Sequence, residues 1–151
     1  MQNKIPSDEY ARILENMPVC CVDVIIANDK KALLVYRKDE PAKNKWWVVG
    51  GRILKNEKLE DAVIRKVLEE TGLESKIERQ IGVYEFKSDK APFKVRTGVH
   101  NIVIVYVVKP IQNLDNIQIN STSADYKWID RIEKNLDPYI KKLLRDSGIF
   151  S

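Results

Sequence analysis

The chain has 151 residues, 32% of them charged and 44% drawn from Ala, Val, Ile, Leu, Met, Phe, Trp, Tyr and Cys. That is enough for one domain, residues 1–151, with one core, and the balance excludes a disordered tail, a collagen or a membrane protein. Twenty-six basic against 22 acidic side chains leave a net charge of +4, which suits an anionic ligand without demanding nucleic acid, so no nucleic-acid partner is expected.

The longest wholly apolar or aromatic run, Ile102 to Val108, falls far short of a bilayer span, so no membrane partner is expected either. Met1 to Glu9 holds no apolar signal segment, which makes a cytoplasmic protein the expectation. Ser7-Asp8-Glu9 has the pattern of an N-cap followed by first-turn acids, and Tyr10, Ile13, Leu14 and Met17 recur at helical spacing, predicting a short amphipathic helix that ends before Pro18. Val19 to Ala27 and Ala32 to Tyr36 are β-rich and are separated by Asn28-Asp29-Lys30-Lys31, which predicts a hairpin. Within the first strand Cys20 and Cys21 point to opposite faces; with no third or fourth soft ligand beside them, they read as structural thiols rather than a metal or redox pair.

A polar loop, Lys38 to Lys45, leads to a short buried strand, Trp46 to Val49, and then to Gly50-Gly51. From Glu57 to Thr71 the apolar positions Leu59, Val63, Val67 and Leu68 predict a helix, with Gly72 as its left-handed terminator. Ile77 to Phe86 and Gly98 to Val108 read as strands around a basic loop, Lys87 to Arg96, and Tyr126 to Ile129 as a last short strand. Asp130 or Asp137 then opens a helix that buries Ile140, Leu143 and Leu144. Helix, strands, helix, strands, helix is the order of an α+β sandwich.

The informative stretch is Gly51, five residues, Glu57, seven residues, Arg65, then Lys66-Val67-Leu68-Glu69-Glu70-Thr71-Gly72-Leu73. It resembles the Nudix box, with one departure: Lys66 stands where that family has a glutamate. The resemblance implies an α/β/α sandwich with a mixed sheet, its box helix following the Gly-Gly turn. At roughly 100° per residue, Arg65, Lys66 and Glu69 share one helical face and Glu70 lies at its margin. Oxygen donors with no histidine or thiol cluster point to a hard cation, Mg²⁺ or Mn²⁺, and the glycine turn offers a main-chain carbonyl to it. The ammonium of Lys66, a turn from both glutamates, competes with that cation and is expected to hold the site to one metal.

Arg37 to Ala42 and Lys45 to Arg52, with Asp125 to Trp128, are similar to the corresponding stretches of GDP-mannose mannosyl hydrolases, Nudix proteins that release the sugar of a GDP-sugar. That similarity implies a nucleotide-sugar substrate and a homodimer. It further implies that Arg37 stabilises the leaving diphosphate, that Arg52 and Arg65 hold phosphate oxygens or orient the glutamates, that the Gly51 carbonyl and Glu70 are metal ligands, and that Asp23 and His100 lie in the pocket. Those enzymes lack the full glutamate set, whereas this chain keeps Glu69 and Glu70, and Glu69 is taken as a catalytic and metal-binding carboxylate. Of the adjacent tryptophans, alternation lets at most one, taken here as Trp47, face the substrate. In those enzymes the loop before the Asp-Tyr segment supplies a histidine base and an amide metal ligand. Here it reads Asn120-Ser121-Thr122-Ser123-Ala124. A base at neutral pH therefore falls to His100, a carboxylate of raised pKa, or metal-bound water. The alternatives are a phosphoanhydride hydrolase of nucleoside triphosphates or ADP-ribose-like substrates, and a nucleotide-sugar sensor that binds without turnover.

Overall fold

A computed structural model describes residues 4–111 and 114–151. Among the described residues three α-helices, a 3-10 turn at Leu114–Asn116 and seven strands occur, the helices and strands in the order α1 (Ser7–Asn16), β1 (Val19–Asn28), β2 (Lys31–Arg37), β3 (Trp46–Trp47), β4 (Val49–Arg52), α2 (Leu59–Thr71), β5 (Ser75–Ser88), β6 (Val99–Pro110), β7 (Ser123–Ile129) and α3 (Pro138–Ser147). The sheet is mixed. β1 runs parallel to β6 over eight aligned positions, from Val19 opposite Asn101 to Ile26 opposite Val108, and antiparallel to β4 through Cys21 to Val24. β5 continues the sheet beyond β6, while β2 carries β3 on one edge and β7 on the other.

Period-two alternation divides the core between the sheet's two faces. On one face Val19, Cys21 and Ile25 of β1 pack with Val103, Val105 and Val107 of β6, and with Leu14 of α1 and Ile140, Leu143 and Leu144 of α3. On the other, Val22, Val24 and Ile26 meet Ile104, Tyr106 and Val108, covered by Ala62, Val63 and Val67 of α2. The result is an α/β/α sandwich, α1 and α3 on one side and α2 on the other. Cys20 and Cys21 are free and divide between the two faces.

Several local expectations shift. Pro6 rather than Ser7 stands at the α1 N-cap, and Met17, the residue after the helix, is 57% exposed rather than part of its packed stripe. Trp46 to Val49 is two strands: Trp46–Trp47 pairs with β2, then the chain crosses at Val48 so that Val49–Arg52 pairs with β1. α2 begins at Leu59, because Glu57 is occupied in accepting the Leu54 amide at 3.0 Å. Its buried stripe is Ala62, Val63, Val67, Glu70 and Thr71, so Leu68, half exposed, lies off it and Glu70 lies within it. Gly72, at φ 74°, ends α2 in the left-handed conformation and returns its amide to Leu68 O. Of the two candidate starts for α3, Asp137 is the one used; its carboxylate accepts from the Tyr139 amide at 2.9 Å. Among the described residues no helix is long and apolar enough to cross a membrane.

Candidate functional site

Gly50 joins two halves of the site. It pairs with Asp23 across the β1–β4 ladder, and a Cβ placed on it would stand 2.2 Å from Asp23 Oδ1 and 2.5 Å from Val22 O, so only glycine lets the strands close with Asp23 between them. On the α2 side its amide donates to Glu70 Oε2 at 3.2 Å. One backbone unit thus connects a carboxylate of the α1–α3 face to a carboxylate of the α2 face.

A cleft of about 700 Å³ opens on the α1–α3 side. Asp23, Gly50, Gly51 and Trp47 line it, and Arg37, Lys38, Lys43 and Arg52 supply cations around it. Trp47 stacks on Tyr139 with ring centroids 5.6 Å apart and planes 19° apart, and meets Phe86 edge-on at 5.4 Å, which gives the cleft an aromatic wall. Trp46 turns away from it, against Tyr36 and under the Lys127 ammonium. A β-bulge between Tyr36 and Arg37 breaks the β2–β7 register and brings Arg37 to the cleft, where its Nε donates to the Pro41 carbonyl at 3.0 Å. Arg52 reaches the cleft from β4 with its guanidinium 5.4 Å above the Tyr10 ring.

Asp23 is 8% exposed and accepts from the Tyr139 hydroxyl at 2.8 Å on Oδ2. Burial pushes its carboxyl up to about 7, against the Tyr139 hydrogen bond and the Arg37 charge, which favour the anion. The same burial, with Asp23 beside it, raises the Tyr139 hydroxyl far above an ordinary phenol. Burial likewise pushes the neighbouring Cys21 thiol up to about 12, so it is not a nucleophile at neutral pH.

On the α2 side, Arg65 does not enter the cleft. Its guanidinium grips Glu57 at 2.7 and 2.9 Å, donates to the Arg52 carbonyl at 3.2 Å and reaches Glu69 at 3.3 Å. The fork lowers the Glu57 carboxyl and positions Glu69 rather than a ligand. Glu70 is 2% exposed; burial raises its carboxyl against the nearby Lys66 charge and the Gly50 amide, and Thr122 Oγ1 donates to its other oxygen at 3.5 Å. Lys66 Nζ stands 3.4 Å from Glu69 and 3.5 Å from Glu70.

Asp23, Arg37, Arg52, Trp47 and Gly51 are therefore brought to one cleft, and Arg65, Glu69 and Glu70 to the helix behind its glycine strand. His100 is not among them. Val99, Asn101 and Val103 face the cleft, so His100, one residue out of phase, projects from the opposite face of β6 and pairs with Glu85 of β5 at 3.3 Å. Tyr139 had no signal in the sequence beyond its place in an amphipathic helix, 116 residues from Asp23.

Glu69 and Glu70 offer hard oxygen donors a turn from Lys66, whose side chain also lies against Gly51, and Mg²⁺ is commonly held by one or two carboxylates while it keeps waters and meets substrate phosphates. In that sense the residues fit a divalent cation. Among the described residues no group of three or more His, Cys, Asp or Glu side chains forms a fuller cage.

The NUDIX domain family matches residues 17–146. The chain is 31% identical over 141 residues, 93% of its length and 89% of the relative's, to the low-salt glycan biosynthesis protein Agl8 of Haloferax volcanii. Over 94 residues, 62% of this chain and 52% of the other, it is 38% identical to an ADP-ribose pyrophosphatase of Methanocaldococcus jannaschii. Its fold superposes on a MutT NUDIX hydrolase of Burkholderia pseudomallei with a TM-score of 0.70 at 22% identity, covering 87% of this chain and 98% of that one.

Proposed function

The chain is a member of the Nudix hydrolase family, and from that premise we propose that it hydrolyses a nucleoside diphosphate linked to a second group, a nucleotide sugar of the GDP-mannose type, with Mg²⁺ or Mn²⁺ as cofactor. The observation that carries this reading is Gly50. It seats a buried carboxylate at the base of a cleft that holds arginines and aromatic rings, and ties that cleft to the glutamate helix. A cleft of about 700 Å³ accommodates a nucleoside and a further group, and the kinship with a glycan biosynthesis protein favours a sugar as that group.

In this reading the face of Trp47, backed by Tyr139 and Phe86, receives the base. Arg37 and Arg52, from β2 and β4, grip the diphosphate, where a planar fork matches phosphate oxygens. Glu69, Glu70 and the Gly51 carbonyl would hold the cation, which when bound neutralises charge on the diphosphate. Arg65 acts through Glu57 and Glu69 as a positioning residue. Asp23, with a carboxyl near 7, is the group in the cleft able to take or hold a proton at neutral pH, through Oδ1, since Oδ2 accepts from Tyr139. His100, across the sheet, is left without a part in the chemistry.

A second reading, a phosphoanhydride hydrolase of the ADP-ribose type, is favoured by the adjacent Glu69 and Glu70 and by the kinship with an ADP-ribose pyrophosphatase. Hydrolysis in oxygen-18 water separates the two. With GDP-mannose, label in the sugar supports glycosyl cleavage, and label in phosphate, most of all with ADP-ribose as the better substrate, supports the second reading. Absence of turnover across a panel of nucleotide sugars and dinucleotides in Mg²⁺ and Mn²⁺ would overturn both in favour of a sensor. The homodimer rests on the resemblance to mannosyl hydrolases, and sedimentation velocity measures it.

A further inference from the structure

Lys66 lies against both carboxylates given above to the metal and against Gly51. Its Nζ is 3.4 Å from Glu69 Oε2 and 3.5 Å from Glu70 Oε2, and its Cε and Nζ lie 2.8 and 3.1 Å from the point where a Cβ of Gly51 would stand. The side chain is 16% exposed, so the ammonium is folded into the site rather than spread over the helix surface. Around it, Glu57, Glu69 and Glu70 are paired with Arg65 and Lys66, and the charges of Arg52 and Arg37 act on Glu57 and Glu70 from the cleft side. Glu70, 2% exposed, needs such a countercharge, because an ionised carboxylate buried without one is costly.

A divalent ion bound to both carboxylate oxygens would sit about 2.0–2.1 Å from each. The ammonium already faces one oxygen of each carboxylate, at 3.4 and 3.5 Å, so an ion held by that pair would compete with it for the same donors. We infer that Lys66 is a tethered substitute for the metal: it fills the cation position of the Glu69–Glu70 pair, holds the site together without metal, and must swing away from Gly51 before a divalent ion binds. The inference rests on the metal part of the reading above. Metal affinity is accordingly weak, and the metal-free fold is not stabilised much further by loading.

The test is Mn²⁺ binding, read by electron paramagnetic resonance, together with thermal unfolding in EDTA and in Mn²⁺, for wild type, Lys66→Met and Lys66→Arg. Wild type and Lys66→Arg should bind weakly and unfold at nearly the same temperature in both media. Lys66→Met should bind Mn²⁺ at least tenfold more tightly, about 1.4 kcal/mol, and should unfold earlier than wild type in EDTA and recover in Mn²⁺. Equal Mn²⁺ affinity in wild type and Lys66→Met, or a wild-type unfolding temperature that rises in Mn²⁺ as much as the variant's, overturns the inference. Should Lys66→Met fail to fold even in Mn²⁺, the wild-type titration decides: tight binding overturns, weak binding supports. Turnover is not the readout, so a negative result here leaves the hydrolase reading standing, and failed hydrolysis leaves this one standing.

Discussion

Replacing Asp23 by asparagine keeps the shape of the side chain and an oxygen for the Tyr139 hydroxyl, but removes the charge buried beside Gly50. In the folded protein the carboxyl is pushed from 3.8 to about 7, so the native state holds its proton more tightly than the unfolded chain does. At about 1.36 kcal/mol per pKa unit the full penalty of ionising it in place is about 4 kcal/mol. That is an upper bound, since Arg37 and the water of an open cleft relax around the anion. The sign follows from linkage: an acid whose folded pKa is raised costs nothing below 3.8, costs progressively more as pH rises toward 7, and a constant amount above. Unfolding by urea at pH 5, 6, 7 and 8 should therefore show Asp23→Asn gaining stability over wild type with each step to pH 7 and levelling beyond it. Other titrating groups are common to both proteins and cancel, except Cys21, Tyr139 and Glu70, which interact with the Asp23 charge. Turnover should fall in the same variant, separating a group retained for chemistry from one retained for stability. Parallel stability–pH curves for the two proteins would refute the buried, proton-binding state of Asp23.

Arg65→Lys keeps the charge but loses the fork that joins Glu57, Glu69 and the Arg52 carbonyl, and should lower kcat about tenfold or more; steady-state kinetics unchanged within error would remove Arg65 from the positioning of the glutamates. His100→Ala should leave kcat and KM within about twofold of wild type, as an exposed substitution off the cleft, and a large loss of kcat would return the imidazole to the chemistry.

The sandwich and the box helix were legible because their signals are local and periodic. β1 and β6 are dense in β-branched residues, and Gly51, Glu57, Arg65, Glu69 and Glu70 carry a long fixed spacing. What escaped depends on which strands become neighbours. Trp46 to Val49 reads as one strand because nothing in those four residues says that β3 pairs with β2 and β4 with β1. His100 looks like a site residue by type and neighbourhood, yet its side of β6 is set by a register that composition does not contain. Tyr139 is an aromatic in an amphipathic helix, and only the docking of α3 on the cleft gives it Asp23 as a partner. Leu68 and Glu70 exchanged their expected places because the face of α2 that packs is chosen by the sheet beneath it.

β1 presents Cys21 and Asp23 to the cleft and Val22, Val24 and Ile26 to the seat of α2. Positions 21 and 23 therefore write the chemistry a ligand meets, and even positions write the platform on which the glutamate helix rests. Substitution at 21 or 23 can redraw what the cleft accepts while α2 keeps its packing, and substitution at 22, 24 or 26 can retune that platform without changing a side chain the ligand sees. Gly50 belongs to both scripts, since its missing side chain makes room for Asp23 and its amide holds Glu70. A library aimed at new substrates would vary position 21 of β1, keep Asp23 and the packed Val19 and Ile25, and leave that one glycine alone.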